Sequence, residues 1–235
     1  MRPVITHQRF LFLAEATAWR YRACGRFVHG FVLGKLRYDP VYRALLELPC
    51  WGGAGLIVDL GCGQGIVPVL LTTAAALNLL PGGRALVPGV WGLERDAAAA
   101  VAARKALAGC GEIVTGDVCS AELPRCRVVL LIDLLYHLEP AAQEALLAKV
   151  RDALEPGGRL ILREADAAAG WRFAITWLAE WLRGLGRGKP FRRRHYRRAG
   201  DWKRLLEGLG FSVEARPMSE GTPFANDLLI ATRVG

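Results

Sequence analysis

Short apolar runs alternate with longer apolar stretches through the middle of the chain. Residues 56–60 form a β-branched run typical of a strand buried on both faces, and residues 66–80 are apolar enough for a helix packed on a sheet. Further strands are predicted at residues 90–94, 113–117, 128–132, 211–215 and 228–232. This alternation of strands and helices predicts an α/β fold.

The two ends of the chain add to this central pattern. Helical patterns occur near residues 4–21 and 40–48, before the first predicted strand. We therefore expect residues 1–48 to form an N-terminal helical cap on a main domain that comprises residues 49–235. Near the other end, residues 217–226 are rich in turn-forming residues and connect the last two predicted strands.

A strongly aromatic helix is predicted between residues 170 and 185, because apolar side chains recur there at intervals of three and four. These side chains are Trp171, Ile175, Leu178, Leu182 and Leu185, and the face is widened by Phe173, Trp177 and Trp181. Such a face suits a helix packed over the domain, a lid over an apolar substrate pocket, or a helix lying at a membrane surface. We define residues 167–204 as a lid-like insertion, and the pattern does not choose among these roles.

The first predicted strand ends in a glycine-rich turn, Gly-Cys-Gly-Gln-Gly at residues 61–65. A strand, a glycine turn and a helix bring bare backbone and a helix N-terminus up to a ligand. This turn lacks the third glycine of a dinucleotide fingerprint, since residue 66 is Ile, and the Gly-Lys-Ser/Thr of a P-loop does not follow. Asp59 places a carboxylate just before the turn, which suits a cationic ligand better than a diphosphate.

Acidic residues also close the next three predicted strands. Glu94 follows the second strand, Asp117 the third and Asp133 the fourth. The carboxyl ends of strands line the crevice where open α/β sheets bind ligands. Any one acid could simply cap the next helix, but the series that begins with Asp59 favours a binding crevice. A ribose diol would suit Glu94, with Asp96 as the alternative, and an adenine amino group would suit Asp117.

Residues 58–65 closely resemble the first motif of class I S-adenosylmethionine-dependent methyltransferases. Later motifs of that family are matched, in order, by Glu94, residues 116–117, residues 133–137 and residues 154–160. The resemblance implies a Rossmann-like, seven-stranded, mostly parallel sheet with helices on both faces, and S-adenosylmethionine lying across the ends of strands 1 to 4. The implied cofactor-binding residues are Asp59, Gly61, Cys62, Gly63, Gly65, Glu94, Asp117 and Asp133.

One feature departs from the family pattern. Asp59 and Glu94 lie 35 positions apart, whereas about 20 positions usually separate such a loop from its ribose-binding acid. The extra length falls in residues 81–88, a stretch that carries proline and glycine.

The net charge of +9 comes from one segment of the chain. Between Arg183 and Arg204 lie ten basic residues and one acidic residue, so the remainder of the chain is balanced. We expect this segment to be a solvated arm or a landing site for an acidic partner protein or an anionic membrane surface. Attraction to nucleic acid stays open, although the residues after the fourth strand match no nucleic-acid methylation motif.

The remaining composition limits the function classes and the compartment. Six cysteines occur singly without a Cys-x-x-Cys pair, so the sequence predicts neither a zinc site nor a redox pair, and no other metal-ligand cluster stands out. The sequence shows neither an uncharged run of 18 apolar residues nor a secretory signal pattern. We therefore expect a cytoplasmic protein, with peripheral association at the inner membrane as an alternative.

A general base would help a hydroxyl, a phenol or an activated ring carbon to accept a methyl group. His137 follows the fourth strand and is the candidate for that catalytic role. The residues predicted to bind the substrate are Tyr136, Trp171, Trp177 and His195, with Glu164 and Asp166 as further candidates for the substrate side.

A second, narrower resemblance concerns the acceptor. Residues 218–229, together with residues 35–40, resemble methyltransferases that accompany bacterial aryl-polyene and related pigment pathways. Those pathways use acidic acyl carrier proteins, so the resemblance implies a small or carrier-bound apolar or aromatic acceptor, methylated on oxygen or carbon. Two other functions stay open: an RNA methyltransferase that uses the basic segment, and a non-catalytic module that binds S-adenosylmethionine or a partner.

Overall fold

The computed structural model describes residues 5–51, 55–80, 89–186, 194–219 and 221–235, without the side chains of residues 180 and 182–186. The predicted insertion at 81–88 and residues 187–193 of the basic segment lie outside the described residues. The α-helices of the described part are α1 (His7–Trp19), α2 (Arg26–Tyr38), α3 (Val41–Leu46), α4 (Ile66–Ala76), α5 (Ala97–Leu107), α6 (Pro140–Ala153), α7 (Trp171–Gly186) and α8 (Ala199–Gly208). Its strands are β1 (Leu56–Leu60), β2 (Gly89–Glu94), β3 (Glu112–Thr115), β4 (Cys126–Ile132), β5 (Leu154–Ala165), β6 (Phe211–Pro217) and β7 (Asn226–Arg233).

The seven strands form one mixed sheet in the order β3-β2-β1-β4-β5-β7-β6. β2 runs parallel to both β1 and β3, whereas β7 runs antiparallel to both β5 and β6. The last four residues of β1 are buried, as expected for a strand covered on both faces. The predicted α/β, Rossmann-like fold with seven strands is therefore confirmed.

The chain divides into two compact units, Met1–Val128 and Val129–Gly235. The first unit contains β1 to β3 and the N-terminal helices, and the second contains β5 to β7. Within the part of the chain that the structure describes, no helix combines the length and the apolar character needed to cross a membrane.

The N-terminal region contains three α-helices where the sequence predicted two. α1 and α3 lie where helical patterns were found, but α2 was missed. α2 buries only Val32 and Leu36 and leaves Phe27 and Tyr38 exposed. Two glycines in its middle lower its helix propensity.

The first unit ties its N-terminal segment to the rest of the unit through Arg20 and Tyr21. Arg20 Nε donates to Ala106 O at 2.7 Å, and its Nη2 donates to Leu107 O at 3.0 Å, at the end of α5. The buried Tyr21 hydroxyl donates to Gln64 O at 2.9 Å, inside the glycine turn. The segment after α1 therefore supports the turn that follows β1.

Strand ends differ from the prediction in the third strand and in the last two. β3 ends at Thr115 and not at Asp117, because the Asp117 carboxylate accepts a hydrogen bond from Cys119 N at 2.9 Å and closes a turn. β6 and β7 are both longer than predicted, which shortens their connection to residues 218–225.

In the second unit, the buried Gln143 of α6 holds two other segments in place. Its amide nitrogen donates to Leu135 O at 3.0 Å, to Leu138 O at 3.2 Å and to His195 O at 2.8 Å. Its amide oxygen accepts from Arg197 Nε at 2.8 Å. Because buried polar groups need partners, Gln143 fixes the turn after β4 relative to the segment that precedes α8.

Replacing Gln143 by Leu keeps a similar side-chain volume but removes the partner of three carbonyl groups. We expect urea titration to show a loss of about 2–4 kcal/mol in the free energy of unfolding, since an unpaired buried polar group costs about 1–3 kcal/mol. The matched control is Gln8→Leu, at an exposed position of α1, which should change this free energy by less than about 0.5 kcal/mol. Equal losses in both variants would contradict the anchoring role.

Candidate active site

The turn after β1 is built from three glycines with left-handed backbone. Gly61, Gly63 and Gly65 have φ angles of 70°, 56° and 71°, a conformation that strains residues with a side chain. Gly61 N and Cys62 N both donate to Leu93 O, at 2.8 Å and 3.1 Å. The turn is therefore tied to the end of β2, and Gly65 starts α4 as its N-cap.

Gly63 and Gly65 have different roles in the turn. A Cβ at Gly65 would lie 2.9 Å from Ala103 Cβ, so this glycine allows the turn to pack against α5. A Cβ at Gly63 would meet no atom within 4 Å, so this glycine faces open space. Gly65 is needed for packing, whereas Gly63 keeps the open face of the turn free of side chains.

Glu94 lies at the end of β2 and contacts the glycine turn directly. Its Oε2 accepts from Gly63 N at 2.8 Å, and its Oε1 accepts from Asp96 N at 2.7 Å. Asp96, the alternative acid, is instead the N-cap of α5, where its carboxylate accepts from Ala98 N and Ala99 N. The structure thus brings Glu94 to the turn and gives Asp96 a capping role.

Asp59 is a buried acid that lies near a second carboxylate, that of Glu94. Burial, and to a smaller extent the negative charge of Glu94, raise its pKa to about 7. The Asp59 side chain is only 3% exposed, in the fourth position of β1. A cationic group placed beside this carboxylate would favour its ionised form and lower its pKa.

Cys62 completes the turn as a small neutral side chain. Burial raises the pKa of its thiol, and the nearby charges of Asp59 and Glu94 raise it further, so the thiol stays protonated. A Cβ added at Gly92 would lie 3.1 Å from Cys62 Sγ. The thiol therefore packs closely against Gly92 of β2.

The two remaining acids of the predicted series lie in different surroundings. Asp117 is exposed, and its carboxylate caps the turn that ends β3. Asp133 has a positive φ of 57° at the end of β4, and its carboxylate forms a two-point ion pair with the buried Arg163, whose Nε lies 2.8 Å from Oδ1. Their predicted roles in cofactor binding stay predictions.

A second cluster surrounds the 3-10 turn Leu135–His137 in the second unit. Leu135 N donates to Glu164 Oε1 at 2.6 Å, which fixes the turn to β5. Burial and, to a smaller extent, the charge of Asp133 raise the pKa of Glu164. Hydrogen bonds from backbone N–H groups of the turn oppose this increase, and the resulting pKa is about 8. Glu164 therefore takes up a proton more readily than an exposed carboxyl group does, and it anchors the turn.

Aromatic side chains pack around this turn. Tyr136 stacks on Tyr196 at 5.0 Å between ring centroids, and Phe173 of α7 meets Tyr196 edge-on at 5.0 Å. The ring of His137 lies 4.2 Å from that of Tyr136, and the Arg194 guanidinium lies 5.8 Å from the same Tyr136 ring. The predicted substrate residue Tyr136 and the predicted base His137 are therefore brought together, with His137 exposed.

His195 contacts neighbouring segments of the second unit through both its backbone and its ring. Its backbone N donates to Tyr136 O at 2.9 Å, and its ring Nε2 lies 3.0 Å from Glu139 Oε2. The open cleft beside it, about 730 Å³ in volume, has a largely charged lining that includes Glu144, Arg194, Arg197, Asp201 and Arg204. This lining does not match the apolar acceptor that was predicted, and a substrate role for His195 stays untested.

The orientation of α7 contradicts the interpretation that its apolar face packs over the domain. Trp171 and Trp177 are 64% and 41% exposed, whereas Thr176 is buried. Arg172 Nη1 donates to Ser219 O and Thr222 O at 3.0 Å and 2.6 Å, which holds the polar side of the helix inward. The structure therefore does not bring Trp171 or Trp177 to Tyr136 and His137, and their substrate roles stay predictions.

Some supporting residues were missed by sequence reasoning. Gln143 and Arg163 form long-range hydrogen bonds with the predicted site residues His195 and Asp133, and Tyr21 bonds to Gln64 within the glycine turn. A tyrosine or glutamine in a helical pattern carries no local signal of its distant partner. The charged Arg163 inside an apolar strand pattern was the one available hint, because an unpaired charge is costly to bury.

The two glycine positions predict different effects of the same substitution. Gly65→Ala should lower the free energy of unfolding by about 1–3 kcal/mol, because left-handed backbone and the Ala103 contact both oppose a Cβ. Gly63→Ala should lower it by only about 1–2 kcal/mol, the backbone cost alone, but should impair ligand binding at the open face of the turn. Urea titration and ligand titration of both variants check this. A Gly63→Ala variant with unchanged ligand affinity would contradict the assignment.

Comparison with known proteins agrees with this geometry. A family model described as a methyltransferase domain matches residues 43–216. Demethylspheroidene O-methyltransferase of Rhodobacter capsulatus is 32% identical over 108 residues, which cover 45% of this chain and 26% of that relative. The matched part thus spans about a quarter of the relative's length.

Solved structures share the fold at low sequence identity. The pyocyanin biosynthetic protein PhzM superposes with a TM-score of 0.65 and 20% identity, over 92% of this chain and 61% of PhzM. Magnesium protoporphyrin IX methyltransferase from Synechocystis PCC 6803, solved with bound SAH, gives a TM-score of 0.59 and 20% identity over 94% of this chain and 96% of its own. Since the family model matches most of the chain and the fold agrees, this protein belongs to the methyltransferase-domain family, as a class I S-adenosylmethionine-dependent methyltransferase.

Proposed function

We propose that this protein transfers the methyl group of S-adenosylmethionine to a hydroxyl oxygen of an apolar, conjugated or aromatic acceptor. The observation that carries the proposal is the aromatic cluster of the second unit, in which Tyr136 contacts the exposed His137 and stacks on Tyr196, which in turn meets Phe173. Flat apolar rings suit an acceptor with an extended π system, and a histidine suits a hydroxyl that must lose its proton.

The relatives support an acceptor of this kind. One is named for O-methylation of demethylspheroidene, one takes part in pyocyanin biosynthesis, and one methylates magnesium protoporphyrin IX. Each of these compounds carries an extended conjugated system. The resemblance of residues 218–229 to methyltransferases of aryl-polyene and related pigment pathways points the same way, toward a pigment-like product.

The glycine turn of the first unit fits the cofactor. Gly63 keeps one face of the turn open, and the buried Asp59 carboxylate, with its pKa raised to about 7, would be stabilised by a cationic group. S-adenosylmethionine carries an α-ammonium and a sulfonium, and when bound it supplies an electrophilic methyl group. Asp59 would hold the cationic part, and Glu94, already aligned by Gly63 N, would accept hydrogen bonds from the ribose.

The residues of the second unit would bind, orient and deprotonate the acceptor. His137 would accept the hydroxyl proton on a ring nitrogen, which raises the nucleophilicity of the oxygen. Glu164 would not touch the acceptor; through Leu135 N it keeps the turn that carries His137 in one position. Exclusion of water and in-line alignment would supply the remainder of the rate enhancement.

The experiment is turnover with methyl-labelled S-adenosylmethionine against phenolic acids and hydroxylated polyenes, each offered free and loaded on an acyl carrier protein. We expect label on the oxygen of at least one of these acceptors. The free and loaded forms distinguish a small acceptor from a carrier-bound one. Label transferred to RNA alone would overturn the proposal, and cofactor binding without turnover on any acceptor would favour a non-catalytic module.

His137→Gln tests the chemistry with the best acceptor found in that screen. Loss of a general base should lower kcat by about 10²–10⁴-fold, with little change in cofactor affinity. His7→Gln, at an exposed position of α1, is the matched control and should keep the full rate. A His137→Gln variant with unchanged kcat would remove His137 from the mechanism.

A further inference from the structure

The outward face of α7 is the largest cluster of exposed apolar side chains on any one described helix. Its members and their exposed fractions are Trp171 64%, Ile175 36%, Trp177 41%, Leu178 48% and Trp181 36%. They follow the helical spacing of three and four residues, so they form one continuous stripe. Proteins seldom expose such an apolar patch to water unless the patch is a binding surface.

The opposite side of α7 explains why the apolar face points outward. Arg172 donates to two carbonyls of the segment between β6 and β7, and Thr176 Oγ1 accepts from Ala225 N at 3.0 Å. Phe173 meets Tyr196 edge-on. Rotating the helix to bury its tryptophans would break all of these contacts, so the outward orientation is built into the second unit.

The composition of this face favours a lipid surface as its occupant. Three of the five exposed residues are Trp, the side chain that concentrates at membrane–water interfaces because its ring is apolar and its N–H is polar. Ile and Leu between them supply aliphatic contact for acyl chains. The five side chains that form the stripe are all uncharged, so none of them opposes insertion.

The sequence that continues from the helix supplies a complementary charge. From Arg183 to Arg198 the chain contains eight basic residues and no acidic residue. A basic stretch next to an amphipathic helix is attracted to anionic headgroups within a Debye length of the surface. The same charge disfavours a second copy of this chain as the occupant, because two such segments would repel each other.

We propose that α7 is a membrane-surface helix, which lies in the plane of an anionic bilayer with Trp171, Leu178 and Trp181 among the acyl chains. The association is peripheral, and it would keep the protein where apolar acceptors are dissolved. It is independent of the proposed reaction, since it uses the outer side of α7 and needs neither turnover nor bound cofactor.

The test is co-sedimentation of the full chain with vesicles of phosphatidylcholine alone and of phosphatidylcholine with phosphatidylglycerol. We expect binding to the anionic vesicles, at least about tenfold weaker binding to the neutral ones, and weakening with added salt. Tryptophan fluorescence should be quenched by brominated acyl chains, which reports insertion and not mere adsorption. An absence of binding to anionic vesicles would overturn the proposal.

Two variants distinguish vesicle binding by the α7 face from non-specific binding by other exposed apolar residues. Ile175→Gln combined with Leu178→Gln removes aliphatic contact without adding charge, and should weaken vesicle binding by about tenfold or more. Val101→Gln, at an exposed apolar position of α5, is the matched control and should bind vesicles like the unchanged protein. Circular dichroism and S-adenosylmethionine affinity should stay unchanged in both variants.

The remaining outcomes distinguish membrane binding by α7 from its alternatives. Equal weakening by Val101→Gln would show that the stripe on α7 is not the contact. Binding of an acidic acyl carrier protein that competes at this face, without any vesicle binding, would assign α7 to a protein partner instead. Failure of the turnover experiment with intact vesicle binding would leave this inference standing and would reject only the proposed reaction.

Discussion

The burial of the Asp59 carboxyl group is the constraint on which the region around the glycine turn depends. Asp59 is buried in β1 just before the turn, and Glu94 at the end of β2 accepts a hydrogen bond from Gly63 N of the turn. Burial, and to a smaller extent repulsion from the Glu94 carboxylate, raise the pKa of Asp59 to about 7. A cationic ligand placed beside Asp59 would offset this cost, which is the physical basis of the proposed selectivity for a sulfonium-bearing cofactor.

The second unit follows a different principle. Buried hydrogen bonds position its exposed histidine: Gln143 and Glu164 hold the turn that carries Tyr136 and His137. The same unit uses Arg172 to keep the polar side of α7 inward. Separate hydrogen bonds of the second unit thus position the turn that carries His137 and the apolar stripe of α7.

Local sequence patterns predicted the features that depend on neighbouring residues alone. The strand at 56–60, the glycine turn and Glu94 at the end of β2 follow from composition and spacing, and all are present. The outward orientation of α7 was not predictable, because it depends on contacts of Arg172 with residues about 50 positions away. The link from Tyr21 to the glycine turn was missed for the same reason.

The most direct measurement is the affinity for S-adenosylmethionine, by calorimetric titration, between about pH 7.5 and about pH 5.5. Asp59 must be ionised to pair with a cation, so affinity should fall as pH decreases below about 7, by up to about tenfold per pH unit. Binding at the lower pH should release about one proton. Asp59→Asn should bind weakly at every pH, without this dependence. Equal affinity across the range in the unchanged protein, or full affinity in Asp59→Asn, would contradict the account.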